Sequence, residues 1–274
     1  MSAAATTITH RYYATEKSHF KELDLYIPPM ANAKSPLLVF IHGGAWRSED
    51  KADHAPLAEA LVAHGFPVAV INYRLSLRDE KNKEAPPAVQ HPLHIQDCKE
   101  AIEYLVHQHH GDKRYDPAQL YLIGHSAGAH IAMMLTLDPE YCCYATTQKV
   151  IAGVIGAQGI YDLALLLRKC PSYDFVPQAF GNDPSLYAAA SPVTKQPAHH
   201  SDDLPPMLVV HSLEDTLVDV DQAHAMVDHL KAIGAASQVQ LETENVKLDH
   251  YEMLYSKSFV DEIVAFVNRN SSLQ

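Results

Sequence analysis

Leu120-Tyr121-Leu122-Ile123-Gly124-His125-Ser126-Ala127-Gly128-Ala129-His130 decides the reading of this 274-residue chain. Four apolar residues in a row suit a strand buried on both faces of a parallel sheet. Ile131, Met134 and Leu135, at helical spacing, predict a helix directly after it. Between the two lies Gly-x-Ser-x-Gly. A sharp strand-to-helix turn would strain the backbone of the middle serine and lift its hydroxyl above the sheet edge, and side chains at the flanking glycines would collide. The pentapeptide alone arises by chance in about one chain in ten of this length. Its weight therefore rests on its place between strand and helix. There it predicts a nucleophile at Ser126, with the Ala127 N–H pointing at the same space.

Working outward, Leu37–Ile41, Val68–Ile71, Ile151–Ile155 and Met207–Val210 are further continuous apolar runs, and Gln238–Leu241 is a weaker one. Leu23, Leu25 and Ile27 alternate with polar residues and stop at Pro28-Pro29, which predicts a half-exposed antiparallel strand. Helical spacing recurs at Cys98, Ala101, Ile102, Leu105 and Val106, with Gly111 as the stop. It recurs at Ala223, Met226, Leu230 and Ile233, closed by Gly234, and again at Phe259, Ile263, Phe266 and Val267. Alternation of this kind predicts an α/β fold, a mostly parallel central sheet flanked by helices on both faces. Residues 1–274 read as one domain without a linker. Residues 78–92 read as a surface loop. Residues 160–204, with Pro171, Pro177, Pro184, Pro192 and Pro197, read as an excursion over one edge that shapes a pocket.

Composition removes several function classes. The chain is 47% hydrophobic and 20% charged, so it is not disordered. Its formal charge is −12 and it has no Lys/Arg cluster, which argues against nucleic acid. No apolar stretch approaches membrane-spanning length, and Met1-Ser2-Ala3-Ala4-Ala5 lacks the basic and apolar regions of a secretory signal. Cys98, Cys142, Cys143 and Cys170 form no CxxC and read as reduced thiols of a cytoplasmic protein. The 18 histidines form no HExxH or Cys/His finger, so neither metal nor cofactor is expected. His107, His109 and His110 read as a solvated helix end and His199-His200 as a loop. Asn270-Ser271-Ser272 fits a glycosylation acceptor pattern.

The remaining chemistry gathers at strand ends. His42-Gly43-Gly44-Ala45-Trp46 follows a buried strand, and its glycines allow backbone N–H groups to turn outward. The N–H groups of Gly44, Ala45 and Ala127 are the expected donors to a tetrahedral oxyanion. A serine near neutral pH needs a base. His211, His224, His229 and His250 lie downstream; His250, in Leu248-Asp249-His250-Tyr251 between the last strand and the last helix, is the one expected to reach Ser126. The base needs an acid to fix its tautomer. Asp215, in the loop after Met207–Val210, is that acid, with Glu214 and Asp219 as rivals. Trp46, the only tryptophan, adjoins the donor loop and is expected to wall the acyl pocket. Tyr161 and Phe175–Phe180 are expected on the leaving-group side. Asp162 reads as a helix cap.

With these residues in place, the chain resembles the α/β-hydrolase superfamily over residues 36–267, in the esterase branch with HGG-type oxyanion loops. That branch holds hormone-sensitive-lipase-like carboxylesterases and kynurenine formamidases. The order Ser126, Asp215, His250 is that of the superfamily. Asn72-Tyr73-Arg74-Leu75 resembles the YRL segment of such esterases. His42–Trp46, the Ser126 turn through His130, and Gly159-Ile160-Tyr161-Asp162-Leu163 resemble the formamidase versions. Two departures stand out. The long N-terminal cap of many lipase-like members is missing, and Ser212 replaces the usual glycine before the acid. The resemblance implies acyl transfer without a metal. The substrate is then a small-molecule ester, making a carboxylesterase, or alternatively an arylformamide such as N-formylkynurenine. A non-catalytic small-molecule receptor on the same scaffold is a third reading. Exposed apolar surface on the excursion would allow a homodimer.

Overall fold

Each buried run becomes a strand of one eight-stranded sheet. The protein is described by a computed structural model covering residues 6–82, 84–107, 113–142, 150–197 and 201–271. The expectations made at His109, His110, Gly111, Cys143, His199, His200 and Ser272 lie outside the described residues. The strands are β1 (Thr7–Tyr12), β2 (Glu22–Ile27), β3 (Pro36–Ile41), β4 (Val68–Ile71), β5 (Asp116–His125), β6 (Ile151–Ala157), β7 (Met207–Val210) and β8 (Val239–Glu242). They lie in the order β1-β2-β4-β3-β5-β6-β7-β8. The pairings β1/β2 and β2/β4 are antiparallel and the rest parallel.

Side chains alternate across each strand, so one run feeds two cores. Leu37, Val39 and Ile41 point to the face covered by α2 (Leu93–His107), α3 (Ala127–Leu137) and α6 (Asp221–Ala232). Leu38 and Phe40 point to the face covered by α1 (Ala55–Ala63) and α7 (Lys257–Asn270). Residues 160–204 carry two short helices, α4 (Leu163–Lys169) and α5 (Phe175–Phe180), which pack on the α2/α3 side. Asp162 caps α4 as expected, accepting the Leu165 N–H at 2.9 Å.

Two local expectations change. Leu23–Ile27 is not half-exposed; five of the six residues of β2 are buried. The reason is β1, an almost wholly exposed strand that takes the edge position outside it. α1 was not foreseen, because Ala-Pro-Leu-Ala-Glu-Ala-Leu-Val-Ala is apolar nearly all round and shows no stripe.

The order of the strands fixes the site. From β3 the chain moves one way, to β4; from β5 it moves the other way, to β6. The crevice beyond the carboxyl ends of two such neighbouring strands is where open α/β sheets hold ligands. The loops leaving β3 and β5 are His42–Trp46 and the Ser126 turn. β3 and β5 end side by side, with Ile41 paired to Gly124.

Candidate active site

Ser126 joins β5 to α3 with φ 52° and ψ −115°, a left-handed conformation that costs a non-glycine residue about 1–2 kcal/mol. The surroundings impose it. A Cβ on Gly124 would overlap the Gly128 carbonyl, and one on Gly128 would overlap the carbonyl oxygens of Ile41 and His42. The first turn of α3 therefore sits directly on the end of β3. The Ser126 N–H donates to Ala157 O at 2.9 Å, and its carbonyl accepts from Ala129 N at 3.1 Å. Ser126 is 5% exposed, and its hydroxyl makes no hydrogen bond among the described residues.

The loop after β3 lies against this turn. A Cβ on Gly43 would come within 3.0 Å of the Ser126 Cβ. Gly44, Ala45 and Trp46 have φ of 77°, 52° and 58°. The Tyr73 hydroxyl is 3.0 Å from His42 O and 2.8 Å from Gly43 O, while Arg47 N and Ser48 N both donate to Gly44 O at 3.0 Å. The loop's carbonyls are thus held on one side. The N–H groups of Gly44, Ala45 and Ala127 make no hydrogen bond among the described residues. The Asn72-Tyr73-Arg74 segment is itself anchored: Arg74 Nε and Nη2 donate to Asp97 at 2.8 and 2.7 Å.

On the other side, His250 Nδ1 is 2.8 Å from Asp215 Oδ2, with the two side chains 3% and 1% exposed. The other Asp215 oxygen accepts the N–H groups of Leu217 at 2.8 Å and Val218 at 2.9 Å. The rivals are engaged elsewhere. His211 Nε2 donates to Val218 O at 2.8 Å, and burial pushes its pKa down. His229 Nε2 is 2.8 Å from Lys195 O. Asp219 pairs with Lys169 at 3.3 Å, and Glu214 is exposed. Ser212 accepts the N–H groups of Glu214 and Leu248, both at 3.1 Å. The hydroxyl that replaces glycine thus ties the acid's loop to the one before His250.

His125 connects the halves. It is fully buried, its ring lies 4.7 Å from that of His250, and its Nε2 is 2.9 Å from His250 O. Burial, reinforced by His250, pushes its pKa down to about 3. The ring is therefore neutral and donates to the His250 carbonyl. Nothing in the linear order of GHSAG marks this residue beyond its place next to Ser126. Ser126 and His250 share no hydrogen bond; His125 and its contacts bring the imidazole to the turn.

The expected wall residues are placed differently. Trp46 is 1% exposed, with His130 and Phe180 edge-on to its ring at 5.1 and 4.8 Å. Tyr161 is 0% exposed. Both rings are buried in the core of this structure, Trp46 beneath Phe175 and Phe180 of α5 and Tyr161 against Gly156 and Gly159. A cavity of about 620 Å³ opens on the excursion, lined by Leu167, Arg168, Tyr173, Pro177 and Tyr187 among others. Ser126, Asp215 and His250 do not line it.

No helix among the described residues is long and apolar enough to cross a membrane, and no group of three or more His, Cys, Asp or Glu among them is arranged to hold a metal ion.

The BD-FAE family model matches residues 23–230. Kynurenine formamidase of Meyerozyma guilliermondii is 32% identical over 237 residues, 77% of this chain and 82% of that protein. Esterase LipQ of Mycobacterium tuberculosis is 28% identical over 257 residues, 86% of this chain and 58% of that protein. Among solved structures, a truncated carbohydrate esterase from gut microbiota superposes with a TM-score of 0.80 at 20% identity, over 99% of both chains. The fold, the strained serine turn and these relatives agree: the chain belongs to the BD-FAE family and is a hydrolase of the α/β-hydrolase esterase branch.

Proposed function

We propose that the chain is a carboxylesterase acting on small acyl substrates through an acyl-enzyme on Ser126. The observation that carries this reading is the buried His250–Asp215 pair, in contact with His125, the residue just before a strained serine whose hydroxyl is unengaged. Asp215 accepts the Nδ1 proton of His250, which leaves Nε2 as the base. Ser126 gives its proton to Nε2 as its oxygen attacks the ester carbonyl. The negative oxygen is received by the N–H groups of Gly44, Ala45 and Ala127. The intermediate collapses, the alcohol leaves with the proton from His250, and an acyl-Ser126 remains. Water then gives a proton to His250, attacks the acyl carbon, and releases the acid as Ser126 regains its proton. The Ser126–His250 hydrogen bond, not made in this structure, forms with substrate in place. Reduced cysteines fit a cytoplasmic setting.

A second reading is favoured by one observation, the identity to a kynurenine formamidase over most of both chains. An arylformamide would use the same machinery with a formyl group on Ser126. Comparing kcat/KM for short-chain p-nitrophenyl esters and for N-formylkynurenine distinguishes them, since changes in one pocket side chain shift preference by only about 1–3 kcal/mol. Both readings require Ser126→Ala to lower kcat by roughly 10⁶ and to abolish labelling by a fluorophosphonate. Retention of more than a few per cent of the rate refutes both.

A further inference from the structure

Glu49 follows the donor loop and adopts φ 70°, a conformation that glycine takes freely and glutamate resists. A residue kept in such backbone points to a use for its side chain. The carboxylate turns inward and is 14% exposed. Oε2 accepts the Gly43 N–H at 3.1 Å and lies 3.1 Å from His54 Nε2. Burial opposes ionisation of this carboxyl, but the hydrogen bond from His54 counters it, and the pKa lies below the ordinary value. Tyr251, next to His250, faces the same carboxylate: burial and then the Glu49 charge push its hydroxyl pKa up.

Gly43 is thereby gripped on both sides. Tyr73 holds its carbonyl and Glu49 its N–H. With that N–H drawn away from Ser126, the next two, on Gly44 and Ala45, are left to face the reaction. We propose that Glu49 is a positioning residue, whose carboxylate sets the direction of the Gly44 and Ala45 donors by accepting the Gly43 N–H. The inference rests on the acyl-enzyme reading of Ser126. It adds a side chain that touches no substrate and acts only through the loop.

Glu49→Gly and Glu49→Gln test it, with a p-nitrophenyl ester as substrate and an alkyl trifluoromethyl ketone as a mimic of the oxyanion. Glycine relieves the backbone strain, so the melting temperature should stay within a few degrees of wild type. Without the carboxylate, kcat should fall about 30-fold or more, approaching the cost of one lost donor, with KM within about threefold. Affinity for the ketone should fall in parallel with kcat. Glutamine keeps an acceptor for Gly43 and should recover most of the rate. Should the glycine variant not fold, Glu49→Met carries the same comparison. A kcat within threefold of wild type overturns the proposal. So does a loss of rate without loss of ketone affinity, a glutamine variant as slow as glycine, or a fall in stability that tracks the rate. Ser126→Ala, assayed alongside, separates the readings: if it stays active the acyl-enzyme reading fails, whereas an inactive Ser126→Ala beside a fast Glu49→Gly removes only the role of Glu49.

Discussion

The two halves of the site are held by different means. The Ser126 turn and the donor loop are fixed chiefly by main chain, with Ala45, Trp46 and Ser126 at positive φ and the Cβ positions of Gly44, Gly124 and Gly128 already filled by backbone, while Gly43 is gripped by side chains, those of Tyr73 and Glu49. They leave β3 and β5, central strands paired on both sides. The arm that carries Asp215 and His250 is fixed by side chains. Asp249 Oδ1 accepts the N–H of Thr216 at 2.9 Å, the Thr216 hydroxyl at 2.9 Å and the N–H of His250 at 2.7 Å, and Ser212 adds a second tie. These loops leave β7 and β8, the latter an edge strand. Backbone packed on backbone has no looser arrangement to fall back on. Side-chain latches can be weakened one at a time.

The sharpest attack on this contrast is Gly128→Ala. The new methyl group would overlap the carbonyl oxygens of Ile41 and His42, which are main-chain atoms at the end of β3. Neither can move without prising α3 off the sheet. A destabilisation of about 3 kcal/mol or more is expected. That corresponds to a fall of roughly 6–12 °C in melting temperature at this size, with activity lost in parallel. Thermal denaturation followed by circular dichroism measures it. An alanine variant with wild-type stability would show that the backbone half does have slack.

Acid should act next, through buried rings in that half and in the helices packed beside it. His42 and His91 have pKa values pushed down to about 4, and His94, His125 and His130 to about 3, in every case chiefly by burial. These rings are buried neutral. Above about pH 6.5, where the unfolded chain is neutral too, they make stability independent of pH. As pH falls from there toward 3–4, the unfolded chain takes up protons that the folded one refuses. Each ring then costs about 1.4 kcal/mol per pH unit. Five such rings exhaust a net stability of about 5–15 kcal/mol between roughly pH 6 and pH 4. Far-ultraviolet circular dichroism against pH should show cooperative unfolding in that window. An acid midpoint below about pH 3.5 would mean that the rings protonate in place.

What the linear chain disclosed follows the same division. The Ser126 turn was legible because its causes are local: an apolar run, two glycines at fixed spacing, then helical periodicity. The pairing of Asp215 with His250 was legible because strand ends in a parallel sheet share one edge. The latches were not. Ser212 reads as a departure from glycine until Leu248 is seen donating to it, and Glu49 reads as a charge in a polar loop until Gly43 turns toward it. The meaning of a polar residue depends on which loops meet in space. Trp46 and Tyr161 are hard to assign from sequence for the opposite reason. Large aromatic residues suit a pocket wall and a core equally, and only the closure of α5 over Trp46 decides between them. β1 escaped notice because its two large apolar residues, Ile8 and Tyr12, are exposed and too few to mark a buried run.

The mildest prediction concerns the latch itself. Asp249→Asn keeps the shape of the side chain and one oxygen for the N–H groups of Thr216 and His250, but its amide nitrogen cannot accept the Thr216 hydroxyl as the second oxygen does at 3.0 Å. The His250–Asp215 pair should still form while the arm drifts relative to Ser126. A drop of roughly tenfold in kcat/KM is expected, in the range that small misplacements cost. The N–H groups of Thr216 and His250 hold the Asp249 carboxyl below its ordinary pKa. Its contribution is therefore complete above about pH 4 and is lost only as pH falls further. The ratio of wild-type to variant rates should accordingly stay flat from pH 6.5 to 8. Thr216→Val should cost less in the Asn variant than in wild type, because the hydroxyl has already lost one of its two acceptors and keeps only Oδ1. If Asp249→Asn instead abolished activity as fully as Ser126→Ala, the arm would have no intermediate states either. The distinction between a half built from main chain and a half built from latches would then describe the drawing of the site but not its energetics.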